Sequence, residues 1–217
     1  MESKKKRAEQ LIQSLLARGE EITPIVCTKK KEIASSFWGQ KWCHYVHHFD
    51  EMAHRLSQGR SLLRNSCVLH LEVDASHVRG KVFDQEIYHV EIRYEKIPKE
   101  ELEELKNTLR LSVTNQLSLL SGDLSQDVMT KLCENPYFFP ALKDVRFSCN
   151  CLDYADFCGH AAALCYGLGL LFDQDPTLLF KLRQIQVSEI FSGPESFAQP
   201  EIGDCEKLSS LFQIDLV

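Results

Sequence analysis

The sequence predicts an α+β chain: an antiparallel β meander with flanking helices, followed by a strand–helix unit carrying four closely spaced Cys and His residues. Three observations predict it. Three short runs between positions 69 and 94 alternate apolar and polar residues. Apolar stripes of helical period stand on either side of them. A later segment begins as alternating chain at Val145 and ends as an almost wholly apolar helix.

The elements follow in order. Residues 1–36 form a polar N-terminal arm, with residues 2–22 reading as a polar helix or arm and Lys29, Lys30 and Lys31 as a basic stretch of little periodicity. Residues 37–98 hold a helix and the meander. Trp42, Val46, Phe49, Ala53 and Leu56 recur every three or four positions, which predicts one amphipathic helix over 40–57, closed by Gly59. Leu69, Leu71 and Val73 then share one face of a first strand, with His70 and Glu72 on the other. Val78, Gly80 and Val82 mark a second strand, and Tyr88, Val90, Ile92 and Tyr94 a third. The connections at 74–76 and 84–85 are short enough to make the runs antiparallel, with one solvated face.

Residues 99–142 read as a helical connector. Pro98 opens a long helix whose stripe is Leu102, Leu105, Leu109, Val113, Leu117 and Leu120, and Gly122 ends it. A shorter helix over about 125–134 stops before Asn135-Pro136. Residues 143–187 carry the Cys/His unit. Residues 188–217 hold two prolines and six acidic residues against one Lys, and read as an extended acidic tail whose apolar end, 211–217, suits strand addition to a sheet edge.

Composition bounds the function. The chain of 217 residues is 44% apolar and 26% charged, as ordinary globular domains are. No apolar run approaches the ~18–20 residues needed to cross a bilayer, and residues 11–16 are too short and polar for a signal-peptide core. The expectation is a cytoplasmic protein. Net charge is −6, unevenly spread: residues 1–65 carry 12 Lys and Arg against 7 Asp and Glu, and the rest 13 against 24. Most of the surface would therefore repel phosphate.

Nine cysteines in a reducing compartment do not make a disulfide framework. Cys27, Cys43, Cys67, Cys133 and Cys205 stand singly and read as small buried hydrophobes or free thiols. The other four fall between 149 and 165. Cys149, Cys151, Cys158 and His160 match a Cys₃His tetrahedral structural zinc site. Residues 145–151 alternate as a strand does, which points Cys149 and Cys151 to one face. Two helical positions two apart do not share a face, so Cys158 belongs just before a helix and His160 in its first turn. Three thiolates and a neutral His leave zinc with a charge of about −1, which a helix N-terminus favours. Cys165 lies about 140° round that helix from His160, and belongs to the core.

The segment resembles the SWIM zinc finger, whose pattern is Cys-x-Cys, a variable gap, then Cys-x-His. Cys149, Cys151, Cys158 and His160 fill every ligand position. Upstream, Phe37-Trp38-Gly39-Gln40-Lys41-Trp42, then Gly59-Arg60-Ser61 with Arg64-Asn65, then the meander resemble what precedes the finger in bacterial SWIM proteins. Gln58 stands where that family is expected to carry an arginine. The resemblance implies one structural Zn²⁺, an interaction function, and a SWI/SNF-type helicase as the first partner to look for.

Other features carry two readings each. His44/His48 and His47/Glu51 have metal-ligand spacing, and with His54 they fit a solvated helix face as well. Lys29, Lys30, Lys31, Lys41, Arg60 and Arg64 suit a phosphate backbone or an ordinary basic loop. Trp38 and Trp42 suit base stacking or a core. Residues 143–183, with 4 basic and 5 acidic residues, make no basic finger. No phosphate loop, nucleophile elbow or His-Glu-x-x-His motif occurs, and four protein ligands would close a zinc site to substrate. The expectation is a non-enzymatic protein adaptor for a nucleic-acid-remodelling helicase, with no membrane or small-molecule substrate. The alternative is direct DNA binding through the basic N-terminal part.

Overall fold

The computed structural model describes residues 2–28, 32–49, 53–112, 116–122, 126–153 and 157–191. Helix α1 (Lys4–Ala17) is capped by Ser3, whose Oγ accepts from the Lys6 N–H. Two helices follow, α2 (Phe37–His47) and α3 (Ala53–Arg64). The strands are β1 (Val68–Asp74), β2 (His77–Phe83) and β3 (Ile87–Tyr94). Then come α4 (Lys99–Ser112), α5 (Gln116–Ser121), α6 (Gln126–Glu134), β4 (Val145–Cys149), α7 (Gly159–Gln174), α8 (Thr177–Leu182) and α9 (Val187–Phe191).

The meander is present, and β4 extends it. One antiparallel sheet runs β1-β2-β3-β4, with Val90 opposite Cys149 and Tyr94 opposite Val145. The β1–β2 turn turns on Ser76, at φ 67°. A bulge between Val68 and His70 shifts the register of β1. It changes the predicted face: Val68, Leu71 and Val73 join the main core, whereas Leu69 packs with Ile12, Leu15 and Ile22 under α1.

Helix α7 is the centre of the molecule, buried on nearly every side. A helix apolar all round has no solvent face to show, so it must be covered all round. The sheet covers one side, where a Cβ on Gly80 would lie 2.8 Å from Leu164 Cδ2. Helices α2 and α3 cover the other, and small residues set both crossings. A Cβ on Gly39 would meet the Gly169 carbonyl at 2.7 Å, and one on Gly59 would meet Ala162. Trp38 and Trp42 fill the space beside them, each fully buried, with Nε1 donating to the Leu119 and Cys165 carbonyls at 2.8 Å. They belong to the core and present no ring to a nucleic acid.

Three sequence expectations need correction. The single helix over 40–57 is two helices, because the chain leaves helical conformation after His47 while Phe49 stays buried against Tyr45 and Phe157. Gly59 does not close a helix; it lies inside α3, where it permits the approach of α7. The stripe of the connector does not run unbroken either. Leu105, Leu109 and Leu119 are buried, but Leu117 is 77% exposed. Gly122, at φ +79°, does take the left-handed conformation of a helix-ending glycine. Residues 188–191 belong to α9, and the rest of the predicted extended tail, 192–217, lies outside the described residues.

Candidate metal centre

The four predicted ligand residues come from three structural positions. Cys149 ends β4, Cys151 follows in the bend after it, and Cys158 is the N-cap of α7 with His160 in its first turn. Their ligand atoms all lie within 4.8 Å of one another. Cys158 and His160 are buried, and Cys149 and Cys151 are half-buried.

The imidazole orientation is specific. His160 Nδ1 lies 3.7 Å from Cys149 Sγ and 3.8 Å from Cys158 Sγ. A tetrahedral ion with metal–sulfur bonds near 2.3 Å and a metal–nitrogen bond near 2.0 Å spaces its ligand atoms by roughly 3.5–3.8 Å. The cluster fits one such ion, with Nδ1 as the imidazole donor. Nε2 turns the other way, to within 3.7 Å of Asp84 Oδ2. At that distance there is no direct hydrogen bond, and the buried Nε2 has no hydrogen-bond partner, so Asp84 stands where a metal-ligating histidine takes its outer partner without being bonded to it. Tyr88 stacks on the same ring, 4.1 Å between centroids and 19° between planes. Asp84 is itself ion-paired with Lys4 of α1.

The electrostatics favour a thiolate at Cys158. Its hydrogen bond with Cys149 holds its pKa far below the ordinary thiol value, against burial, and His160, the Ala161 N–H and Cys151 act in the same sense. The Ala161 N–H approaches Sγ at 3.5 Å, so the first turn of α7 points its donors at the sulfur. Cys149 is pushed up by the same hydrogen bond and by burial. Cys165 stands apart in the core, and burial pushes its thiol up as well.

The loop between Cys151 and Cys158 is tied down at both described ends. Asp153 receives a two-pronged ion pair from Arg55 of α3, at 2.6 and 2.9 Å. Phe157 packs edge-on against Phe147 and Phe49. Asn150 pairs with β3 through its side chain and backbone, both to His89. Asp84, Tyr88, Lys4 and Arg55 were not singled out as site residues from the sequence, because each reaches the centre from a distant element. The nearest sequence signal is the alternation of β3, which puts Tyr88 on the face of Val90 and Ile92.

The remaining candidates separate. Arg60 and Arg64, one turn apart on α3, come together at one cleft with Lys41. Lys29, Lys30, Lys31 and Glu51 lie outside the described residues. His44 and His48 lie edge to face at 4.4 Å, and His48 Nδ1 is bonded to the His44 carbonyl at 2.8 Å. His47 faces Arg60. Among the described residues, Cys149, Cys151, Cys158 and His160 are the one group of Cys, His and carboxylate side chains close enough to hold a metal ion.

Among the described residues, no helix is long and apolar enough to cross a membrane. No protein-family model matches the chain, and no solved structure matches it. A curated relative, the uncharacterized protein Rv2102 of Mycobacterium tuberculosis, is 28% identical over 155 residues, covering 70% of this chain and 56% of the relative. The chain thus spans little more than half the length of the curated relative it matches.

Proposed function

We propose that the chain is a SWIM-type zinc protein, a non-enzymatic adaptor that docks on a SWI/SNF-type helicase. The observation that carries this reading is the Cys₃His cluster at the junction of β4 and α7, whose ligand atoms lie within 4.8 Å of one another. Three thiols and one imidazole are the donor set of a structural zinc site, and four protein ligands leave no position for a substrate. Cys149, Cys151, Cys158 and His160 would hold the ion. When bound, it neutralises thiolates and ties sheet to helix. Everything else is done by the chain: Tyr88 stacks on the imidazole, Asp84 faces its Nε2, and Arg55 and Phe157 hold the loop.

The SWIM assignment is supported by the ligand spacing and by the order of elements before the finger. The helicase partner rests on that resemblance. Elemental analysis of the wild type and Cys158→Ser tests the metal, with one zinc per chain expected only in the wild type. A binding titration with the helicase at 50 and 200 mM salt tests the adaptor. An adaptor that binds through apolar surface holds its affinity across that range. DNA affinity that falls steeply with salt and disappears in Arg60→Ala/Arg64→Ala would replace the adaptor with the direct DNA binder.

A further inference from the structure

A cleft of about 480 Å³ opens between residues 32–34, α2 and α3, on the side of α3 that carries Arg60 and Arg64. Among the described residues, its polar wall holds Lys41, His44, His47, Arg60 and Arg64 and one carboxylate, Glu32. Among the described lining residues the permanent cations outnumber the carboxylates, whereas the whole chain has a net charge of −6. Its floor is apolar, made by Ile33, Ala34 and Phe37.

Arg60 is the anchor of this wall. Its Nη1 donates to His47 Nε2 and to the Tyr166 hydroxyl, both at 3.1 Å, and the guanidinium lies 5.7 Å from the Tyr166 ring centroid. A histidine that accepts from a guanidinium is neutral at that nitrogen. Burial, and then the charge of Arg60, lower the His47 pKa and keep it so. The guanidinium is therefore fixed in place by neutral acceptors, with its charge left for the cleft. Arg64 follows at i+4, so both guanidinium groups stand on one helix face. Two arginines on one helix face, the first of them held in place, can meet phosphate oxygens in a two-pronged way. Lys41, with Nζ 5.7 Å from the Phe37 ring centroid, brings the third cation to the edge of the apolar floor. The volume falls in the ~300–1,000 Å³ range of small-molecule sites, with an apolar body and a few convergent polar groups.

We propose that this cleft binds a phosphorylated small molecule of nucleotide size, with its phosphate against Arg60 and Arg64 and its body over Phe37 and Ile33. A concave pocket of this volume with an apolar floor suits a free ligand.

The test uses the whole 217-residue chain, metal-loaded, and three probes: ADP, inorganic pyrophosphate and a single-stranded 20-mer DNA. Calorimetric titration is expected to give saturable ADP binding with a dissociation constant below about 1 mM. Pyrophosphate should compete with it. Arg60→Gln and Arg64→Gln are each expected to weaken ADP by about tenfold or more, and Arg79→Gln, on the sheet, to leave it unchanged. Arg64 is exposed, so its variant stays informative if loss of the Tyr166 contact destabilises Arg60→Gln. Absence of saturable ADP binding, or ADP binding indifferent to Arg64→Gln, would overturn the proposal. So would DNA binding that needs both arginines while ADP does not compete, which would make the cleft part of a strand-binding surface.

Discussion

A Cβ added to Gly59 of α3 would lie 2.5 Å from the Cβ of Ala162 on α7, and 2.6 Å from the Ala162 carbonyl carbon. Backbone atoms at that distance cannot swing aside as a flexible side chain would. Gly59→Ala must therefore push the two helices apart, against a gain of only ~1 kcal/mol in helix propensity. The net loss expected is about 2–3 kcal/mol. Urea unfolding of wild type and variant measures it, and a stabilised variant would show that the crossing is looser than described.

This pair also shows where sequence reading failed. A glycine after an amphipathic stripe reads as a helix stop, since glycine tolerates left-handed backbone. At Gly59 the requirement is steric, and the partner it makes room for lies a hundred residues further on. The break after His47 was equally hidden. Residues 48–52 contain no Gly or Pro, and Phe49 keeps the apolar period while the backbone leaves the helix. The gathering of Cys149, Cys151, Cys158 and His160 was legible for the opposite reason. They fall within twelve residues, and the chemistry of thiols and imidazole restricts what such spacing can mean. Asp84 and Arg55 carry no such local mark. They reach the centre only after the sheet closes and α3 packs on α7.

Loss of the metal should be felt throughout the core, because the cluster joins the end of β4 to the start of the central helix. Chelation of the wild type, or Cys158→Ser, is expected to cost about 3–5 kcal/mol, well under the ~10–16 kcal/mol of isolated zinc-finger peptides. The large remaining core accounts for the difference. Thermal melts with and without chelator check this. Cys165→Ser is the control: it should keep the metal while losing about 1–3 kcal/mol for a hydroxyl buried among apolar groups.

Asp84 acts on the centre only through His160, to whose Nε2 its Oδ2 lies at 3.7 Å. Removing it leaves every ligand atom in place and takes away the carboxylate that faces Nε2. Asp84→Ala is expected to lower metal affinity by about 10- to 100-fold. Competition with a chromophoric chelator reads that change directly. Lys4→Ala, which removes only the cation behind Asp84, should have a smaller effect in the same direction. An unchanged affinity in Asp84→Ala would mean that Tyr88 stacking alone orients the ring.

Asp173, near the end of α7, caps a different helix from its own. Its carboxylate accepts from the backbone N–H groups of Ser35 and Ser36 at 2.7–2.9 Å and from both hydroxyls at 2.7–3.0 Å, holding the N-terminus of α2 against α7. Burial opposes its ionisation, but these hydrogen bonds outweigh it and hold its pKa below the ordinary carboxylate value. A lowered pKa in the folded state gives stability that is fully present above the unfolded-state value, near 4, and is lost as pH falls through the lowered one. Asp173→Ala is therefore expected to cost about 1–2 kcal/mol at neutral pH. The difference from wild type should stay constant down to about pH 5 and shrink below pH 4, as the wild-type carboxyl takes up its proton. Urea titrations at neutral pH, pH 5 and below pH 4 decide it. A gap that does not close in acid would mean that Asp173 holds α2 by shape alone and not by charge.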